Sequence, residues 1–93
     1  MKRNRDEIIS MILSISIGGA SKTRIVYQAN LNFRTVGPYL DLLIKTDMIE
    51  VRGEQQVLYE TTQKGIDLMK SINQIHTVLN NQNIAILPAS ARN

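Results

Sequence analysis

Apolar side chains recur along most of this 93-residue chain at the three- and four-residue spacing of helices that bury one face. The first segment with this spacing predicts a helix from Asp6 to the glycine pair Gly18-Gly19, which ends it. Its expected buried residues are Ile8, Ile9, Ile12, Leu13 and Ile15, and its serines, Ser10, Ser14 and Ser16, are expected largely on other faces. Isoleucine at this density indicates packing in a core rather than chemistry.

The next segment begins with a residue that caps helices. Ser21 precedes a short predicted helix whose buried side is Ile25, Val26 and Ala29. Asn30 suits a left-handed conformation, which turns the chain after this helix. A second helix follows at once, and two helices joined by such a tight turn are the pattern of a helix-turn-helix.

The helix that completes this pattern contains an awkward pair of residues. Asn32 caps a helix predicted from Phe33 to about Thr46, with a core face every three or four residues. The residues of that face are Val36, Leu40, Leu43 and Ile44. Gly37-Pro38 lies inside it, where proline removes a hydrogen bond and crowds the preceding turn. Either the helix bends at this step, or it begins late with Pro38 in its first turn.

Period-two alternation replaces the helical spacing after Met48. Residues 49–51 predict a strand, residues 52–56 a polar turn and residues 57–61 the returning strand. A hairpin directly after a helix-turn-helix is a wing, whose tip lies along the backbone or the minor groove of DNA. A purely structural hairpin is the alternative.

Thr62 is expected to cap a last helix that runs from Gln63 to about Asn80. Four of its apolar residues follow one another at steps of four, three and four, which is a heptad seam. They are Leu68, Ile72, Ile75 and Leu79. We expect this seam to pair with a second copy of the chain; the alternative is that the helix folds back on its own domain.

The net charge of +3 is modest, but the charges are unevenly distributed. Residues 1–36 carry six bases and two acids, whereas residues 37–71 carry four bases and six acids. No acid occurs between Glu7 and Asp41. An asymmetric positive field of this kind suits contacts with phosphate groups.

Several classes of function lack the residues that they need. The chain has no cysteine, which excludes disulfides and thiol chemistry, and the acids do not cluster beside its one histidine, His76, as a metal site needs. The apolar run from Ile8 to Ile17 is too short to span a bilayer. We therefore predict no enzyme, no cofactor, no metal ion and no membrane, and a cytoplasmic, DNA-associated protein.

Three stretches of sequence resemble a known family. GGASKTRIVYQANLNF, YLDLLIKTDMIE and YETTQKG, in this order, resemble the archaeal winged-helix DNA-binding proteins, above all the small chromatin-type proteins of Sulfolobus and related regulators of archaea and their viruses. The resemblance implies an α+β fold, mainly helical: a winged helix-turn-helix with a long C-terminal dimerisation helix. It also implies double-stranded DNA as the partner. The chain departs from the family pattern at Gly37-Pro38, where such proteins usually continue a polar or basic helix.

The residues expected to face DNA lie on the helix-turn-helix and on the wing. Those that the resemblance implies are Lys22, Thr23, Arg24, Asn32, Arg34, Thr35 and Arg52. Gln55, in the wing, is a further candidate for hydrogen bonds to phosphate. Arg34 and Thr35 are the candidates for base contacts because they start the second helix of the motif, with contact to phosphate or solvent alone as the alternative for Arg34.

We predict a homodimeric transcriptional regulator that binds double-stranded DNA. A sequence-neutral architectural DNA-binding protein and a winged helix that contacts only other proteins are the alternatives. The expected organisation is a basic arm over residues 1–5, a winged-helix domain over residues 6–62, a dimerisation helix over residues 63–83 and a flexible tail over residues 84–93.

Overall fold

The computed structural model describes residues 4–85 as four helices and one β-hairpin. In chain order the elements are α1 (Arg5–Ile15), α2 (Lys22–Ala29), α3 (Phe33–Lys45), β1 (Ile49–Arg52), β2 (Leu58–Thr61) and α4 (Gln63–Ala85). The α+β class, mainly helical, and the predicted order of elements are confirmed. None of the described helices is both long and apolar enough to cross a membrane. Most of the predicted tail lies outside the described residues, although Ile84 and Ala85 belong to α4.

Helix α1 begins one residue earlier than predicted because of its N-terminal cap. The Asn4 side chain accepts a hydrogen bond from the Glu7 amide at 2.8 Å, and the Glu7 carboxylate accepts one from the Asn4 amide at 3.0 Å. This reciprocal capping box satisfies amides that a helix start leaves without partners. Arg5 is therefore the first residue of α1, and the remaining residues of the predicted arm, 1–3, lie outside the described part of the chain.

Two serines of the first helical segment are buried, so the expectation that they lie on other faces was wrong. Ser10 is 9% exposed, and its hydroxyl donates to the Asn73 side chain of α4 at 2.7 Å. Ser16, directly after α1, is fully buried, and its carbonyl accepts hydrogen bonds from the amides of Gly19 and Thr61, each at 3.0 Å. The partners on later elements, Asn73 for Ser10 and Thr61 for Ser16, are brought close by tertiary packing. The spacing of apolar residues does not reveal such contacts.

The helix-turn-helix folds as its caps predict. Ser21 caps α2 by accepting a hydrogen bond from the Arg24 amide at 3.1 Å. Asn30 takes the left-handed conformation, with φ of 56°. Asn32 caps α3 by accepting from the Thr35 amide at 2.7 Å. These local hydrogen bonds fix where each helix begins and ends.

Helix α3 begins at Phe33 and contains Pro38 in its interior, so the alternative of a late start was wrong. Proline leaves the Arg34 carbonyl without the donor that normally lies four residues on, and in a helix interior it costs about 3 kcal/mol relative to alanine. Gly37 costs about 1 kcal/mol more. As the residue before proline, however, it lacks the Cβ that would collide with the proline ring.

One aliphatic core connects all four helices and the hairpin. Helices α1, α2 and α3 supply most of it, β1 contributes Ile49, and α4 contributes Ile72. The fully buried hydrophobic side chains at its centre are Ile12, Leu13, Ile25, Val36, Leu43 and Ile49. Leu31, in the turn between α2 and α3, packs against this core. Burial of each such side chain contributes about 1.5–3 kcal/mol, which holds α3 in place despite its weak central turn.

The hairpin is extended by the segment that joins α1 to α2. Strands β1 and β2 pair antiparallel, with Ile49 opposite Thr61. Ala20 then bonds to Tyr59 through its amide at 2.9 Å and its carbonyl at 2.8 Å. Gly53 begins the hairpin turn at a φ of 93°, and a Cβ there would lie 2.0 Å from a backbone carbonyl oxygen, so this position requires glycine.

The strand-to-helix corner from Thr61 to Gly65 ties the hairpin to the helices. The Thr61 hydroxyl donates to the Leu13 carbonyl of α1 at 2.6 Å. The Thr62 hydroxyl donates to the Asp47 carbonyl, just after α3, at 2.7 Å and accepts from the Gly65 amide at 3.0 Å. The predicted role of Thr62 as the cap of α4 is therefore confirmed.

Gly65→Ala is expected to destabilise the fold by about 1–3 kcal/mol. The added Cβ would lie 2.2 Å from the Met48 carbonyl oxygen and 2.7 Å from Cγ2 of Thr61, so the corner has to open. Urea denaturation measures the free energy of unfolding. Lys64→Ala, at the exposed neighbouring position, is the control and should change it by less than about 0.5 kcal/mol. A Gly65→Ala protein as stable as the wild type would contradict the close approach.

Candidate nucleic-acid interface

The start of α2 lies against α3 through a lysine side chain. The ammonium nitrogen of Lys22 is 3.6 Å from the position that a Cβ on Gly37 would occupy. It therefore lies over the second turn of α3, one turn after Arg34. This contact, which the sequence did not predict, joins the two helices into one surface. We call it the α2–α3 surface, and its predicted members are Lys22, Thr23, Arg24, Asn32, Arg34 and Thr35.

The first turn of α2 presents hydroxyl and basic side chains to solvent. Thr23 and Arg24 are both exposed. The Arg24 guanidinium donates one hydrogen bond to the Gly19 carbonyl at 3.4 Å. Since a guanidinium carries five N–H donors, the others stay available for a ligand on the same side.

The start of α3 divides its side chains between capping and solvent. The side-chain oxygen of Asn32 is used by the Thr35 amide, which leaves the Asn32 amino group as an exposed donor. Thr35 itself is half-buried. Arg34 is exposed, and its guanidinium has no ion-pair or hydrogen-bond partner among the described residues. Of the predicted base-contact residues, Arg34 is therefore the more accessible.

The charged members of the α2–α3 surface are all basic. The sequence contains no acid from residue 8 to residue 40, which includes all of α2 and the first two turns of α3. Asp41, on the next turn of α3, is the first carboxylate after that stretch. Such a surface attracts anions, and its donors suit phosphate oxygens and base edges.

The wing carries a charge arrangement that the sequence did not suggest. Arg52 forms an ion pair with Glu60 across the hairpin. Glu50 lies directly opposite Glu60 in the strand register, and like charges in that position repel each other. The Arg52 guanidinium therefore relieves this repulsion, while its side chain remains 58% exposed. Gln55, at the tip, is exposed.

Helix α4 divides the predicted heptad seam into two parts. Ile72 is 9% exposed and belongs to the core of its own domain, against which Leu68 also packs. Ile75 and Leu79 are each 56% exposed. Val78, which the heptad spacing missed, is 49% exposed beside them. The accessible apolar cluster of α4 is therefore Ile75, Val78 and Leu79.

His76 lies at the opposite end of the domain from the hairpin corner, where α4 runs beside the start of α1. It lines a shallow surface pocket with Asn4, Glu7 and Leu79. Within residues 4–85, no three His, Asp or Glu side chains come together as ligands for a metal ion would.

A helix-turn-helix followed by a two-stranded wing and a long helix is a winged helix-turn-helix. The model of that family matches residues 2–80, and the chain belongs to it. The resemblance predicted from the sequence is thereby confirmed.

Three known proteins are similar over most of the chain. The uncharacterised protein MJ0287 of Methanocaldococcus jannaschii is 35% identical over 82 residues, which cover 87% of this chain and 81% of that protein. Sso10a-2, a DNA-binding protein from Sulfolobus solfataricus, matches with a TM-score of 0.81 and 26% identity over 95% of this chain and 99% of that chain. MepR, a transcription regulator of the Staphylococcus aureus multidrug efflux pump MepA, shares the fold with a TM-score of 0.72 and 15% identity over 94% of this chain and 65% of that chain.

Asn32→Ala is expected to lower the free energy of unfolding by about 1 kcal/mol, because it removes the acceptor for the Thr35 amide. Asn32→Asp keeps an acceptor in the same place and should retain most of the stability. Thermal denaturation followed by circular dichroism compares the two variants. Equal losses in both would show that the cap does not stabilise α3.

Proposed function

We propose that the protein is a homodimeric transcriptional regulator that binds double-stranded DNA through the α2–α3 surface and the wing. The observation that carries this proposal is the position of the Lys22 ammonium over the second turn of α3. This position puts the basic side chains of two helices on one surface, which also offers hydrogen-bond donors that are not used within the protein. We propose that the protein acts on DNA in the cytoplasm.

In this proposal the basic side chains divide into two groups by their position. Lys22 and Arg24, on α2, contact phosphates and fix the protein on the duplex, whatever its sequence. Arg34, at the exposed start of α3, enters the major groove and donates two hydrogen bonds to the O6 and N7 atoms of a guanine. Affinity then comes chiefly from the first group and sequence preference from the second.

The wing contributes a weaker contact with the backbone. Arg52 is held by Glu60 in the free protein, so a bond to phosphate requires the guanidinium to exchange one anion for another. Gln55, at the exposed tip, donates to phosphate without such an exchange. The wing therefore enlarges the contact area on DNA more than it raises the affinity.

The homodimer rests on the accessible apolar cluster of α4. Ile75, Val78 and Leu79 are each about half exposed, and water contact with three neighbouring aliphatic side chains is unfavourable. A second α4 covers this cluster if the two helices cross there. In the domain organisation that we propose, residues 6–62 form the DNA-binding part and α4 continues from it as the dimerisation helix.

A sequence-neutral architectural role is the second candidate. The match to Sso10a-2 covers 99% of that chain, whereas the match to the regulator MepR covers 65% of that chain, so the fuller likeness supports DNA binding without requiring a regulatory role. Sso10a-2 is described as a DNA-binding protein. The two roles differ in how strongly one duplex is preferred over another.

Selection of bound duplexes from random DNA separates the candidates. A regulator is expected to prefer its selected site over unrelated duplexes by about 4 kcal/mol or more. An architectural protein binds both with similar affinity. If no duplex is retarded even at low salt, DNA binding is wrong and the winged helix that contacts only proteins takes its place.

Lys22→Ala should weaken binding to all duplexes alike and reduce the slope of log affinity against log salt by about 0.9 per protomer, because one phosphate contact is lost. Arg34→Ala should instead lower the preference for the selected site by about 1–3 kcal/mol. Titrations at several salt concentrations measure both effects. Lys70→Ala removes the same charge from an exposed position on α4 and is the control; an equal effect there would assign the binding to net charge alone.

Replacing both Ile75 and Leu79 with glutamine should convert a dimer, at twice the 10.5 kDa mass of the chain, into a monomer. Glutamine keeps the helix propensity but removes the apolar surface of the pair. Sedimentation equilibrium at tens of micromolar measures the mass. The double variant Lys70→Gln/Thr77→Gln, at exposed positions on the other side of α4, should stay dimeric. A monomeric wild type would refute the pairing.

A further inference from the structure

Pro38 weakens α3 without improving the packing of the described fold. The helix carries this proline in its interior, and the preceding residue is glycine, which lacks the Cβ that would collide with the proline ring. Pro38 is exposed, and only the end of the Lys22 side chain comes within 4 Å of a Cβ placed on Gly37, among atoms outside the helix backbone and the neighbouring residues. Local rules broken without a structural gain indicate a functional position.

The exposed face of α3 has Pro38 near its centre. Val36, Leu40 and Leu43 are buried and fix the opposite face of the helix. Apart from Phe33, the first residue of α3, its exposed residues recur at steps of four, three and four, which keeps them in one row along the helix. They are Arg34, Pro38, Asp41 and Lys45. This row is the part of α3 that faces away from the protein's own core.

The chemistry of this row differs from that of a surface that binds phosphate alone. Pro38 offers only C–H groups and has no N–H to donate. Asp41 has no ion-pair partner among the described residues and repels phosphate. Both suit base edges: an apolar ring packs on the C5-methyl group of thymine, and a carboxylate accepts from the amino group of cytosine.

We propose that Pro38 is a specificity-determining residue whose ring packs on a thymine methyl group in the major groove, one helical turn from the guanine contact of Arg34. Gly37 serves this contact because it allows proline in a helix and keeps bulk away from the groove. The inference rests on the proposed DNA binding and adds the identity of one base. The half-site then contains a thymine close to the guanine.

Thymine and uracil differ only in the methyl group, so substitution of one for the other tests this contact. In the selected duplex, uracil at one thymine of one half-site should raise the dissociation constant about fourfold, the effect of one methyl-sized group removed from apolar contact. Pro38→Ala should bind the thymine and uracil duplexes with nearly equal affinity. Fluorescence anisotropy with both duplexes measures all four constants.

The Pro38→Ala protein is expected to melt at a higher temperature than the wild type, because alanine restores a helix-interior hydrogen bond. A loss of discrimination therefore does not come from unfolding. Lys45→Ala, in the same exposed row, is the matched control. It should weaken binding to both duplexes and leave the ratio of their dissociation constants unchanged.

Two results overturn the inference while leaving DNA binding intact. One is a wild-type protein that binds every uracil-substituted duplex as tightly as the thymine duplex. The other is Pro38→Ala that keeps the full fourfold ratio, which assigns Pro38 to the shape of α3 alone. Failure to bind any duplex is a different result, since it rejects the proposed function itself.

Discussion

Three segments that are far apart in the sequence meet at the corner from Thr61 to Gly65, and the placement of the other elements depends on their contact. Thr61 bonds to the end of α1 through its hydroxyl and its amide. Thr62 bonds to the carbonyls that follow α3. Gly65 lets α4 pass within reach of Met48, where any side chain would collide. The corner thus fixes α1, α3 and α4 relative to the wing.

The direction of α4 from this corner determines which of its residues remain accessible. Helix α4 runs along α1, with Ser10 bonded to Asn73 and Glu7 near Leu79. The apolar face of its first half is therefore covered, and Ile72 belongs to the core of its own domain. Beyond Asn73, α4 lies beside the first residues of α1, where α1 begins. Apolar residues of α4 at the same heptad spacing therefore become exposed. One sequence pattern serves two purposes because α1 is shorter than α4.

The sequence predicts what depends on neighbouring residues and misses what depends on tertiary contacts. Caps such as Asn32 and Thr62 act over three residues, so both helix starts are correct. The burial of Ser10 requires a partner 63 residues away. The ion pair of Arg52 requires the strand register, and the position of Lys22 requires the crossing of α2 over α3. No local spacing encodes these contacts, and they determine how the candidate site is arranged.

The exposed row of α3 bears on the choice between reading a sequence and coating DNA. A sequence-neutral protein gains affinity from every basic side chain that faces phosphate, and each carboxylate in the same place lowers its affinity. This row contains Pro38 and Asp41 between Arg34 and Lys45, and the proline costs about 3 kcal/mol of helix stability. Neither residue helps a contact with phosphate, whereas base edges offer groups that match each of them: the methyl group of thymine for Pro38 and the amino group of cytosine for Asp41. The composition of the row therefore favours a helix that distinguishes sequences.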